Sequence, residues 1–180
     1  MRTFFRDTVI TLVLALVIFL LLQATVQSFI VVEHCMEPGF QEGERLLVNK
    51  VVYHFHEPER GDVIILHPPF DSKAVYIKRI IALPGDTVEV KMGAVYVNGS
   101  KLDEPYIKEP PSYNFLETKI PKNEYFVLGD NRNNANDSHK GWTVPRQNII
   151  GKAWLSFWPP KEWGLTAHYP LQEQLANSTK

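Results

Sequence analysis

The stretch that decides the fold class reads AVYIKRIIALPGD and runs from Ala74 to Asp86. It is a short, largely apolar run that ends at a Pro-Gly-Asp breaker, which is typical of a β-strand followed by a turn. Comparable runs recur on both sides of it, and they read RLLVNKVVYHF, DVIILHP, DTVEVKM, AVYVNGSKL, EYFVLGD and KAWLSFW. Many short strands in succession predict an all-β domain, built as a sandwich or a partly open barrel.

A turn signal inside this series predicts a smaller unit within the β domain. Asn98-Gly99 separates two apolar runs, and both residue types tolerate the positive φ of a two-residue hairpin turn. We expect this hairpin to belong to a small β insert at about 89–113. The main β domain is predicted over 28–165, and the tail, 166–180, is expected to be frayed and peripheral beyond Gly164.

The N-terminus carries one long uncharged segment. No charged side chain occurs between Asp7 and Glu33, and a helix of about 20 mostly apolar residues is enough to cross a bilayer. We therefore predict a transmembrane anchor over 8–27 and expect the lipid bilayer as a partner. The alternative is a cleaved secretory signal, since the most apolar part of this segment is short enough for one.

The charges beside this segment predict its orientation. Arg2 and Arg6 precede it, so the positive-inside rule places residues 1–7 in the cytoplasm and the β domain outside. We expect a single-pass protein of the plasma membrane.

The charge and the metal-binding side chains exclude some classes of function. The formal net charge is −1, which gives no field that would draw the protein onto nucleic acid. Two of the six histidines, His54 and His56, are expected on one face of a strand, but their spacing fits no standard zinc site. No metal or cofactor is expected. The only cysteine, Cys35, cannot form an internal disulfide, so its thiol is inert, metal-bound or reactive.

Three segments occur in a characteristic order: HCMEP at 34–38, YIKRIIALPGD at 76–86 and GDNRNNANDSH at 129–139. Together they resemble the signature boxes of type I signal peptidases, the membrane-anchored serine-lysine endopeptidases. The resemblance implies a signal-peptidase-like all-β catalytic domain. It also implies cleavage of signal peptides from exported preproteins as the function.

The same resemblance assigns the residues of the site. Cys35 stands where the family has its nucleophilic serine, and Lys78 stands at the position of the general base. Arg79 and Asp130 correspond to a supporting ion pair, and Asp137 belongs to the structural support of the third box.

Two further positions near the site depart from the family pattern. Glu33 replaces a small residue or a serine that helps to hold the oxyanion, and its carboxylate would oppose the developing negative charge. Ala135 replaces the serine that orients the lysine. These departures favour a second hypothesis, an inactive or impaired family member that persists as a membrane-anchored binding scaffold.

The chemistry of a thiol and an amine supports the enzyme hypothesis independently. A lysine acts as a general base only where burial lowers its pKa, and Lys78 lies in a strand with Tyr76 and Ile80 on its face. A neutral amine could accept the thiol proton, because free cysteine has a pKa of about 8.5. The bland alternative is that Cys35 is a small buried hydrophobe.

The substrate is expected to bind as an added β-strand in a groove beside the nucleophile. The resemblance implies shallow pockets for small side chains before the cut. The candidate pocket residues are Met36, Phe40, Tyr76 and Ile77.

Overall fold

The computed structural model describes residues 2–167, 169 and 171–177, which form two antiparallel β-sheets after a long N-terminal helix. The helices are α1 (Arg2–Thr25), α2 (Val52–Phe55) and α3 (Leu171–Asn177). The strands are β1 (Val26–Ile30), β2 (Arg45–Asn49), β3 (Val63–Leu66), β4 (Tyr76–Ala82), β5 (Thr87–Lys91), β6 (Ala94–Val97), β7 (Ser100–Lys101), β8 (Phe115–Lys119), β9 (Glu124–Leu128), β10 (Val144–Pro145), β11 (Ile149–Trp158) and β12 (Gly164–Leu165). The prediction of an all-β domain after one apolar helix is confirmed.

The large sheet has the strand order β1-β2-β11-β3-β4-β9-β10, and β12 pairs with β11 beside this path. Its central strand β3 is buried on both faces. Val63 and Ile65 belong to the apolar cluster that contains Cys35, whereas Ile64 and Leu66 belong to a cluster on the opposite face. The period-two alternation of a strand thus divides one apolar run between two cores.

The small sheet has the order β7-β6-β5-β8 and extends from Thr87 to Lys119. It therefore runs beyond the predicted insert, 89–113, at both ends. The predicted hairpin is confirmed: Val97 pairs with Ser100, and both Asn98 and Gly99 have positive φ, as a type I′ turn requires.

The long helix α1 contains the segment that is apolar enough to cross a membrane. This segment is Phe4–Thr25, with 22 residues and a mean hydropathy of 2.5. None of the apolar window in this segment is buried by the described part of the chain. β1 begins at Val26, directly after the helix, so the large sheet starts where α1 ends.

The run RLLVNKVVYHF was expected to be a single strand, and this expectation is wrong. β2 ends at Asn49 because its side-chain Oδ1 accepts hydrogen bonds from the backbone N–H groups of Val51 and Val52, both at 3.0 Å. These bonds turn the chain and start the short helix α2. His54 lies in this helix and His56 follows it, so the two histidines do not share a strand face.

The C-terminal segment was expected to be frayed and peripheral, and this expectation is wrong for its described residues. Leu171 is fully buried in the cluster between the two sheets, and Tyr169 packs against the same cluster. The side chain of Gln172 binds Arg60, and Gln174 binds both backbone groups of Asp103. The segment therefore closes one side of the core.

Candidate active site

Cys35 and Lys78 meet in a dry contact inside the domain. The Lys78 Nζ lies 3.1 Å from the Cys35 Sγ, and both side chains are 2% exposed. The same Nζ donates to the backbone carbonyl of Ile77 at 2.9 Å and lies 5.1 Å from the ring centroid of Tyr76. A buried thiol and a buried amine within hydrogen-bond distance have the geometry that a nucleophile and its base would need.

The turn that carries Cys35 is held by Asn131. The backbone N–H of Asn131 donates to the Cys35 carbonyl at 3.0 Å, and its side chain donates to the His34 carbonyl at 2.9 Å. These two hydrogen bonds from Asn131 fix the position and the orientation of the turn. The first and third sequence segments are thereby joined at the nucleophile.

The neighbour of the lysine in β4, Arg79, anchors the strand to the third segment. Its Nε and Nη2 donate to the two carboxylate oxygens of Asp130 at 2.9 and 2.7 Å, and its Nη1 donates to the Gly61 carbonyl at 2.8 Å. Burial alone lowers the pKa of the Arg79 guanidinium, but the hydrogen bonds and charge of Asp130 outweigh burial and raise that pKa above its ordinary value. The guanidinium thus stays charged, and the bidentate pair sets the spacing between β4 and the loop after β9 that carries Asp130.

Two aromatic rings cover this buried cation. The Arg79 Cζ lies 4.3 Å from the ring centroid of Tyr106 and 5.2 Å from that of Tyr169, and the two rings contact each other at 4.7 Å. The backbone of Tyr169 also passes so close to Gly61 that a Cβ there would collide with the Tyr169 carbonyl. Tyr106 comes from the segment after the small sheet's hairpin and Tyr169 from the C-terminal segment, so both distant segments contribute to the site's support.

The third sequence segment packs directly under the nucleophile. The backbone N–H of Gly129 donates to Asp137 Oδ2 at 2.9 Å, and Asp137 Oδ1 accepts from the His139 Nδ1 at 2.6 Å. Ala135 packs against the cluster that contains Cys35. A Cβ at Gly129 would lie 2.5 Å from the Cys35 carbonyl and 2.7 Å from the Ala135 Cβ, so only glycine permits this approach.

An apolar cleft opens beside the Cys35–Lys78 contact. We call it the Cys35 cleft; it has a volume of about 350 Å³ and is lined by residues 29–33 and 74–78 together with Cys35, Leu46 and Ile65. Tyr76 and Ile77 are therefore in its wall. Met36 is fully buried in the adjacent cluster, and Phe40 lines a second cavity that faces Arg79, so neither is in the wall of the Cys35 cleft.

Glu33 also belongs to the wall of this cleft. It is exposed, and its backbone has φ of 78°, which is uncommon for a residue with a Cβ. Among the described residues, no group of three or more His, Cys, Asp or Glu could hold a metal ion.

The comparison with protein families gives this geometry its context. The family described as "Signal peptidase, peptidase S26" matches residues 4–158, which cover most of the chain and both members of the buried contact. The chain belongs to the signal peptidase family.

Individual signal peptidases show the same relationship. The chain is 46% identical over 169 residues to "Probable signal peptidase I-1" of Synechocystis sp., covering 89% of this chain and 86% of the relative. It is 47% identical over 136 residues to signal peptidase I of Leptolyngbya laminosa, covering 72% of this chain and 67% of the relative. It is also 38% identical over 144 residues to thylakoidal processing peptidase 1 of Arabidopsis thaliana, covering 74% and 42%. The protein is therefore a peptidase, a hydrolase of the signal peptidase type.

Several residues that support this site were not predicted from the sequence. Gly129, Asn131 and Arg132 lie within the segment GDNR and could have been singled out by their position beside Asp130. Arg132 is fully buried and forms a bidentate pair with Glu104 at 2.7 and 2.9 Å. Tyr169 lies beyond the matched residues 4–158, and nothing in its local sequence indicates its role.

Proposed function

We propose that this signal peptidase cuts signal peptides from exported preproteins with Cys35 as nucleophile and Lys78 as general base. The observation that carries the proposal is the 3.1 Å contact between Sγ and Nζ at the inner end of an apolar cleft. The buried amine lies within hydrogen-bond distance of the thiol, which is the group it must deprotonate.

The reaction proceeds in two halves. Lys78 takes the thiol proton as the sulfur attacks the carbonyl carbon of the scissile bond, and the resulting lysinium then protonates the departing amine. The C–N bond breaks, and a thioester joins the signal peptide to Cys35. Lys78 then deprotonates a water molecule that cleaves the thioester, which releases the signal peptide and restores the thiol.

The negative oxygen of the tetrahedral intermediate needs donors that point at it. The backbone N–H of Cys35 is the natural donor, by analogy with the nucleophile position of the family. Glu33 stands where the family has a small residue or a serine that helps to hold the oxyanion, and Ala135 stands where the family has the serine that orients the lysine. These two positions set the rate of the reaction, because neither side chain can donate a hydrogen bond.

The cleft suits an extended peptide. Among the described strands, β1 lies at the edge of the large sheet and pairs with β2, and the chain that follows it lines the cleft. A substrate strand can add between this wall and the start of β4, with Tyr76 and Ile77 contacting its side chains. Met36 and Phe40 stay predictions as pocket residues. They belong to the apolar cluster that packs against the residues lining the Cys35 cleft.

The anchor determines where the site works. α1 crosses the membrane with residues 1–7 in the cytoplasm, and the β domain lies on the outer side of the plasma membrane. Because β1 follows α1 without a linker, the cleft lies close to the bilayer, where the end of a substrate's own apolar segment emerges.

The experiment that tests the proposal is cleavage of a preprotein by the purified full-length chain in detergent. Cys35→Ala and Lys78→Ala should each abolish cleavage, whereas Cys35→Ser should retain or increase it. A small alkylating reagent should label Cys35 faster as pH rises, and labelling should be slower in Lys78→Ala. Absence of cleavage by both the natural chain and folded Cys35→Ser would leave the anchored binding scaffold, which the departures at Glu33 and Ala135 favour.

A further inference from the structure

Glu33 differs from the other acidic side chains of the loop between β1 and β2. Glu37 binds His34 at 2.6 Å and Lys108 at 2.8 Å, Glu42 lies 3.5 Å from His34, and Glu44 binds Ser156 at 3.0 Å. Within residues 2–167, 169 and 171–177, no donor or cation binds the Glu33 carboxylate. Among the described residues, the one carboxylate of this loop without a partner thus belongs to the residue that lines the Cys35 cleft.

The charge balance of the Cys35 cleft depends on this residue. The ionisable side chains in its wall are Glu33, Cys35, Tyr76 and Lys78. Lys78 is engaged with Sγ and with the Ile77 carbonyl, and it must be neutral to act as a base. In that state Glu33 carries the formal charge of an otherwise apolar cleft.

The backbone at Glu33 adds a second observation. A positive φ costs energy for any residue with a Cβ, and glycine would adopt it freely. Strained backbone of this kind clusters at ligand-binding and catalytic sites. Glu33 thus places a charged side chain at a backbone position that favours glycine, two residues before Cys35. This placement indicates a role in contacting the substrate.

We infer that Glu33 is a specificity-determining residue, which selects signal peptides or preproteins with a positively charged side chain beside the scissile bond. The inference rests on the proposed function. Glu33 lies two residues before Cys35 and lines the same cleft, so substrate residues that flank the cut bind within reach of its carboxylate. A lysine or arginine there supplies the partner that the protein does not, and the ion pair becomes less screened as the substrate displaces water from the cleft.

The same charge explains why the site tolerates a group that opposes the oxyanion. For a neutral substrate the carboxylate only slows the reaction. A cationic side chain bound at Glu33 neutralises it, so the penalty on the oxyanion disappears for that substrate. The selection therefore acts on the rate as well as on binding.

Matched peptides test the inference. Peptides that span one cleavage site carry either lysine or glutamine at the second position before the cut, or at the first or second position after it. At one of these positions the natural chain should favour lysine by about threefold or more in kcat/KM, and the preference should fall as salt is raised. Glu33→Gln should abolish the preference for lysine. Glu33→Lys should instead favour a matched peptide that carries glutamate at the same position. Glu42→Gln, a carboxylate of the same loop outside the cleft, should leave the ratio unchanged.

A second readout separates this inference from the proposed function. The same peptides should protect Cys35 from alkylation in the Lys78→Ala variant, and the lysine peptide should protect at a lower concentration than the glutamine peptide. If the peptides protect with this preference but no variant cuts them, the peptidase mechanism fails and the charge selection stands. If cleavage occurs with equal lysine-to-glutamine ratios in the natural chain and in Glu33→Gln, the inference is overturned. Equal protection by both peptides in the absence of cleavage overturns it as well.

Discussion

Replacing Gly129 with alanine should move the nucleophile. The new Cβ would lie 2.5 Å from the Cys35 carbonyl, and real Cβ contacts essentially never fall below 3.0 Å, so the Cys35 turn must shift by about 0.5 Å or more. The carbonyl cannot shift freely, because Asn131 holds it at 3.0 Å. A displacement of 1 Å at a reacting group can cost about 10²-fold in rate, so we expect at least about a tenfold loss in kcat. Overpacking of about 1–3 kcal/mol should lower Tm by about 2–12 °C.

The assay compares Gly129→Ala with Gly164→Ala. A Cβ added at Gly164 would meet no heavy atom within 4 Å, and the residue has no positive φ, so its substitution should leave kcat and Tm unchanged. Both variants are measured on one preprotein below the lower of the two Tm values, and the alkylation rate of Cys35 reports the turn without catalysis. Unchanged kcat and alkylation in folded Gly129→Ala would refute the argument that this glycine sets the position of the nucleophile.

Three other predictions concern the rate, the stability and the topology. Glu33→Ser combined with Ala135→Ser should raise kcat on a neutral preprotein at least about tenfold, because a single oxyanion donor is worth about 10²–10³; an unchanged rate would show that these positions do not limit it. Tyr169→Ala should lower the free energy of unfolding by about 2 kcal/mol through loss of the ring over Arg79, whereas Tyr169→Phe should not; chemical denaturation compares them, and equal losses would argue against the ring contact. Protease added to right-side-out vesicles should digest the chain after Val32 and leave a membrane-embedded N-terminal fragment, and complete protection would contradict the orientation.

The strands were predictable because their signal is local. In β3 the side chains alternate between two apolar clusters, and a short apolar run bounded by turn residues is enough to indicate such a strand. The hairpin at Asn98-Gly99 was predictable for the same reason, since the turn type depends on those two residues. The end of β2 was not predictable from the run RLLVNKVVYHF, because β-branched residues continue past Asn49 while the Asn49 side chain bends the backbone.

The candidate site was predictable only in part. Cys35 and Lys78 lie far apart in the sequence, so their contact could be expected from the resemblance but not from any period or spacing. The contact between Arg79 and the Tyr169 ring could not be predicted, because no pattern in the sequence around Tyr169 indicates that its ring is packed against the β domain. The unpartnered state of Glu33 is likewise a property of the folded loop, where neighbouring carboxylates find partners and this one does not.

The position of the C-terminal segment in the chain determines when the fold can be completed. Translation supplies the anchor first and Tyr169 and Leu171 only after every strand, yet Leu171 fills the core between the two sheets and Tyr169 lies against Arg79. Until these residues have been synthesised, the core lacks Leu171, and Arg79, which joins β4 to the loop of Asp130, lacks part of its aromatic cover. The core and the cover of Arg79 can therefore be completed only after the C-terminal segment has been synthesised.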